Sequence, residues 1–133
     1  MPPARLAHTF VFVCDLERMI DFYVRALDFT REDTADAGFV MLRGAAGGDL
    51  ALHRVPEHVA EAIALTSPAA WREESAMKLS FATDDLAGQR QCILDHGGQA
   101  KAPWSWDGRE YCECADPEGN VVQLIADARS HGG

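Results

Sequence analysis

Apolar and polar residues alternate along the run His8-Thr9-Phe10-Val11-Phe12-Val13-Cys14-Asp15-Leu16. A period of two predicts a strand half buried on a sheet, and Asp15 suits the cap of a helix that follows it. From there the period lengthens, with Leu16, Met19, Ile20, Tyr23 and Leu27 on one helical stripe. Strand candidates follow at 29–32, 39–43 and 50–53, the last two separated by the glycine-rich turn 44–49. The series then recurs. Lys78-Leu79-Ser80-Phe81-Ala82-Thr83-Asp84-Asp85-Leu86 is a second alternating run ending in Asp-Leu, 70 residues beyond the first. A weaker helical stripe of Leu86, Ile93 and Leu94 ends at His96-Gly97-Gly98, where glycine can close a helix in the left-handed conformation. Strands are predicted at 102–106, 109–114 and 121–125, divided by Asp107-Gly108 and by Asp116-Pro117-Glu118-Gly119-Asn120.

An internal repeat decides architecture before any single element does. Each half reads βαβββ, giving an α+β fold of two tandem modules, 6–55 and 76–126. The offset of 70 also carries Asp49 onto Gly119 and His53 onto Gln123. Between the modules, 56–75 reads as a short helix with proline in its first turn and a connector. A half of about 60 residues buries little surface alone, so the modules are read as one domain over 1–133. The segment 127–133 lacks an apolar anchor and is predicted to fray.

Composition narrows the partners. At 133 residues, 47% hydrophobic and 25% charged, the chain has the make-up of a globular domain, which excludes disordered and fibrous classes. Twenty-one carboxylates against twelve Lys and Arg leave a net charge of -9, which disfavours nucleic acid and an anionic bilayer as partners. With no apolar run of membrane-spanning length and no apolar segment after Met1, a cytoplasmic location is expected. Cys14, Cys92, Cys112 and Cys114 read as reduced packing residues, since Cys112-Glu113-Cys114 is too short a spacing for the usual zinc pair.

The two βαβββ modules, the Asp-Leu after each first strand, Phe22-Tyr23 in the first helix and Asp116-Pro117-Glu118-Gly119-Asn120 before the last strand resemble the vicinal oxygen chelate superfamily. That group holds glyoxalase I, bleomycin-resistance proteins, fosfomycin-resistance enzymes and extradiol dioxygenases. The resemblance covers about residues 6 to 126 and implies the glyoxalase/bleomycin-resistance/dioxygenase-like fold, in which the sheets of the two modules form an open eight-stranded cup. It also implies a homodimer and a site built from the first and fourth strands of each module, here His8, His53, Lys78 and Gln123. Enzyme members carry His, Glu or Gln at these places around a divalent metal such as Zn, Ni, Fe or Mn. This chain departs from them at Lys78, an ammonium without a lone pair unless it loses a proton against a reference pKa near ~10.4. Gln123 is a weaker donor than a carboxylate. A metal would therefore rest on His8, His53 and Gln123, with a carboxylate such as Glu113 to complete its shell.

Alternation brings Phe10 and Phe12 to the face of His8, and Ser80 and Ala82 to that of Lys78, while Val11 and Val13 turn toward the first helix. Trp104 and Trp106 share one face, as packing residues or as planes on which a flat or cationic ligand stacks. Nothing fixes Trp71, and His58, His96 and His131 read as solvated surface. No glycine-rich phosphate loop or Gly-x-Ser-x-Gly elbow is present, and Asp84-Asp85 reads as helix capping.

Three functions fit these residues. The favoured one is an aromatic cup, lined by His8, Phe10, Phe12, His53, Lys78, Trp104, Trp106 and Gln123, that binds a small organic ligand without a tightly bound metal. The second is a metal-dependent lyase, isomerase, transferase or dioxygenase. The third is a metal-free enzyme in which a buried Lys78 carries a proton or holds a substrate carboxylate.

Overall fold

The computed structural model describes residues 1–63 and 65–127, which divide between two units, Met1–Ala64 and Leu65–Gly133. Among the described residues the fold is mixed α+β, with two sheets and three helices.

The first unit runs β1 (Thr9–Val13), α1 (Leu16–Leu27), β2 (Thr30–Asp33), β3 (Phe39–Arg43), β4 (Leu50–Arg54) and α2 (Glu57–Ala62). Asp15 caps α1 as expected, its carboxylate accepting from Arg18 N at 3.2 Å. The helix buries Leu16, Met19, Ile20 and Tyr23 of the predicted stripe, with Phe22 and Ala26; Leu27 is only half-buried. It packs on β2, β3 and β4, where Val40, Leu42, Leu50 and Leu52 are buried. At about 1.5–3 kcal/mol for each large side chain fully withdrawn from water, this seam is the main source of the unit's cohesion. The sheet order is β1-β4-β3-β2, with β1 and β4 parallel and the other pairs antiparallel. Strand β2 is an exposed edge on which Arg31, Glu32 and Asp33 follow Thr30, and Arg31 forks onto Glu17 at 2.9 and 3.1 Å. Such charges discourage further strand pairing.

The second unit runs β5 (Leu79–Ala82), α3 (Leu86–Asp95), β6 (Gln99–Ala100), β7 (Trp104–Trp106), β8 (Arg109–Ala115) and β9 (Val121–Asp127). Asp85 caps α3 by accepting from Gly88 N at 3.0 Å, and Gly97 takes φ +91° at the other end. Leu86 and Ile93 are buried, whereas Leu94, placed by the sequence on the same stripe, is exposed. The sheet order is β5-β9-β8-β6, and β7 also pairs with β8. The strand predicted at 102–106 is shortened to β7, and β6, at 99–100, lies before the predicted range. Pro103 has no N–H for the ladder, and pairing resumes only at Trp104. The Asp107-Gly108 turn has positive φ at both residues, as a two-residue hairpin loop requires.

The connector belongs to this unit. Arg72 N donates to Gly119 O at 2.9 Å, which fixes it to the Asp116–Asn120 turn, and Trp71 Nε1 donates to Gln99 Oε1 at 3.2 Å. Within the turn, buried Asp116 accepts from Glu118 N and Asn120 N at 3.0 and 2.9 Å. Of the tail predicted from 127 onward, Asp127 ends β9; 128–133, with His131, lies outside the described residues. No helix among the described residues is long and apolar enough to cross a membrane.

Candidate functional site

The sheet face of the first unit that points away from α1 is aromatic. Phe12 pairs with His53 across β1 and β4, and Phe39 pairs with His53 across β3 and β4, so all three side chains leave the sheet on one side. Phe10 is the hub of the group, with ring centroids 5.0 Å from Phe12, 5.7 Å from Phe39, 6.1 Å from His53 and 6.3 Å from His8. Phe10 and Phe12 are nonetheless 43% and 61% exposed. His53 donates from Nδ1 to the Arg54 carbonyl at 2.7 Å, and its Nε2 lies 3.7 Å from the Asp36 carboxylate. Val13 is buried on the opposite face, as the alternation requires.

The second unit repeats this layout with different chemistry. Lys78, Ser80 and Ala82 share a face with Gln123 and Glu113, through the pairs Ser80 with Gln123 and Glu113 with Gln123. Gln123 is buried, and its carbonyl accepts from Ser80 Oγ at 3.3 Å. The Lys78 ammonium donates to Glu113 Oε1 at 2.7 Å. Further along β8, Trp104 lies flat on Tyr111, centroids 4.5 Å apart and planes inclined by 13°, while Trp106 is 6.5 Å from the same ring. Trp104 and Trp106 are 47% and 65% exposed.

Strand register corrects the pairing of His53 with Gln123. In the first unit Thr9 lies opposite Leu50, and in the second Leu79 lies opposite Val122. The first strands thus correspond at an offset of 70, but the last strands at 72. His53 stands across from Phe12, whereas Gln123 stands across from Ser80, the counterpart of Phe10. By register, Gln123 corresponds to Ala51.

These residues do not suit a divalent metal. The Lys78 side chain is taken up by Glu113 at 2.7 Å, and Glu113, the carboxylate expected to complete a shell, is engaged by Lys78 and, at 3.8 Å, by Lys101. The two lysines hold the Glu113 carboxyl below the usual carboxylate range, the Lys78 hydrogen bond being the largest influence. His8 and His53 each lie against Phe10. Among the described residues, no group of three or more His, Cys, Asp or Glu is arranged to hold a metal ion.

Beside Lys78 opens a cleft of about 420 Å³, lined by Arg72, Glu73, Lys78, Lys101 and Glu113 together with the apolar Met77 and Val121. Lys101 donates to Glu73 at 2.9 Å and lies 4.8 Å over the Trp71 ring. The sequence reading did not gather Arg72, Glu73 and Lys101, because they come from irregular segments that carry no period. Phe39 and Tyr111 were also missed as site residues. Tyr111 was within reach, since a two-residue loop at Asp107-Gly108 places it opposite Trp104.

Comparison with known proteins gives a consistent picture. Residues 5–124 match the family model described as the Glyoxalase/Bleomycin resistance protein/Dioxygenase superfamily. No curated protein sequence matches the chain. Among solved structures, an antibiotic binding protein from Streptomyces sp. CB03234, TnmS3, is 20% identical with TM-score 0.69, covering 96% of this chain and 98% of that one. The fosfomycin resistance protein FosX from Mesorhizobium loti is 16% identical with TM-score 0.67, covering 95% and 93%. A glyoxalase/bleomycin resistance protein/dioxygenase family enzyme from Burkholderia phytofirmans PsJN is 16% identical with TM-score 0.70, covering 93% and 99%. At these identities the likeness is one of fold.

Proposed function

Because the chain belongs to the glyoxalase/bleomycin resistance protein/dioxygenase superfamily, we propose that it binds a small organic ligand on its aromatic sheet faces without a tightly bound metal. The observation that carries this reading is the exposure of Phe10, Phe12, Trp104 and Trp106 on sheet faces opposite the packed helices. Large apolar rings left in water on such a face suit a binding surface, because each has area still to bury when a ligand arrives. The ion pair of Lys78 with Glu113 supports the metal-free part of the reading, since it consumes both the charge and the carboxylate that a metal would need. It also weighs against Lys78 as a proton carrier. That role needs a desolvated amine, and the Lys78 side chain is 43% exposed. The antibiotic-binding neighbour supports the class of activity by its fold. A homodimer in the cytoplasm is part of the same proposal.

Two measurements test it. Metal analysis of protein purified without an affinity column should find far less than one iron, zinc, nickel or manganese per chain; a stoichiometric metal, lost together with thermal stability in His8→Ala, would overturn the metal-free reading. A thermal-shift panel of aromatic acids, cationic antibiotics and thiol conjugates should find stabilising ligands whose binding quenches tryptophan fluorescence. A panel that stabilises nothing would count against binding.

A further inference from the structure

The cleft beside Lys78 has a charge count unlike that of the chain around it. Arg72, Lys78 and Lys101 face Glu73 and Glu113, three cations against two carboxylates, in a protein whose net charge is -9. The partners within the cleft show where the surplus lies. Lys78 takes Glu113 at 2.7 Å, and Lys101 takes Glu73 at 2.9 Å while reaching toward Glu113 at 3.8 Å. Both carboxylates are thereby engaged by lysines. Arg72 is half-buried, its backbone N–H spent on Gly119 O, and its guanidinium pairs with no carboxylate among the described residues. The planar fork of a guanidinium without a carboxylate partner matches the two oxygens of a carboxylate. Met77 and Val121 add an apolar wall, and about 420 Å³ is the size of a small-molecule pocket.

We propose that this cleft binds a small organic acid bearing one carboxylate, which the Arg72 guanidinium receives while the apolar body lies against Met77 and Val121. The proposal rests on the reading that the protein holds a small organic ligand, and it names the class. One negative charge cancels the surplus. A dianion would leave an excess charge facing Glu73 and Glu113, and a cation would add to the surplus already there. Two members of the lining are shifted toward their charged forms: the Glu73 hydrogen bond raises Lys101, and the Lys78 hydrogen bond lowers Glu113.

Benzoate, with benzamide, benzylamine and phthalate as neutral, cationic and dianionic counterparts, tests this on the full chain at neutral pH. The reporter is the Trp71 indole NMR signal, because Lys101 lies over that ring at the edge of the cleft. Benzoate should shift it saturably, benzamide and benzylamine should leave it in place, and phthalate should bind more weakly than benzoate. Arg72→Gln should weaken benzoate about tenfold, the scale of one charge-assisted hydrogen-bonded contact. Arg72→Lys, which keeps the charge but loses the fork, should fall between, and it serves as the test if Arg72→Gln does not fold. A Trp71 signal unmoved by benzoate, an equal response to benzamide, or unchanged affinity in both variants would overturn the proposal. If neutral or cationic probes moved only Trp104 and Trp106, ligand binding would stand and the acid class would fall. Silence of every tryptophan toward all four probes would remove both.

Discussion

Lys78 and Glu113, 35 residues apart in the chain, meet at 2.7 Å across the helix-free face of the second sheet. The contact decides how both behave. Glu113 has its carboxyl lowered by the Lys78 hydrogen bond. A carboxylate with a lowered folded-state pKa contributes stability that is present above its unfolded value, about 4.3, and is lost as pH falls through the folded value. Glu113→Gln should therefore be less stable than the parent at neutral pH, by no more than about 1 kcal/mol because the pair is part-exposed. The two should converge as pH drops below about 4. Urea unfolding at several pH values measures this, and parallel curves would show that the pair contributes nothing.

Replacing Lys78 by histidine should turn the same contact toward metal. The substitution removes the ammonium, frees the Glu113 carboxylate from its shortest partner and places an imidazole on the face shared with Gln123. Lys78→His should bind zinc or nickel at least about tenfold more tightly than the parent in calorimetric titration above neutral pH, where imidazole is unprotonated. An unchanged isotherm would mean that these three residues do not approach a common point.

Much of this layout was legible because punctuation and period are local. Asp15 and Asp85 marked both helix starts, and Asp107-Gly108 marked a hairpin that the backbone makes. The register of β9 was not legible, for a reason that lies in the sheet itself. Shifting a strand by two residues keeps every side chain on its original face, so the alternation that identified the strands is blind to the difference between 70 and 72. The cleft was hidden differently. Arg72 and Glu73 arrive from the connector and Lys101 from the gap between β6 and β7, and only the folded chain brings them to Lys78.

The tryptophans of β7 should separate by function and stability. Trp104 stacks on Tyr111 at 4.5 Å, while Trp106 is more exposed and only tilted toward the same ring at 6.5 Å. A stacked aromatic pair adds about 0.5–1.5 kcal/mol beyond its buried area. Trp104→Ala should cost about 1 kcal/mol or more in urea unfolding, and Trp106→Ala less than half of that. Both should weaken any ligand whose binding quenches tryptophan fluorescence. If Trp106→Ala proved the more destabilising, that residue would have to be packing against a second chain.

Gly119 joins the turn before β9 to the connector, and a side chain there should disturb both. Its φ of +87° is left-handed, which costs a residue with a Cβ about 1–2 kcal/mol. The added carbon would also overlap the backbone carbonyl oxygen of Ala70, which cannot swing aside as a flexible side chain would. Gly108 provides the control, with φ +74° and nothing within 4 Å of an added Cβ. Gly108→Ala should therefore lose about 1–2 kcal/mol from conformation alone, and Gly119→Ala clearly more. Because Gly119 O also accepts from Arg72 N, the second substitution should displace Arg72 and weaken benzoate binding, whereas the first should leave it intact. Equal losses of stability in the two variants would show that the connector yields to the added methyl and does not lock the turn.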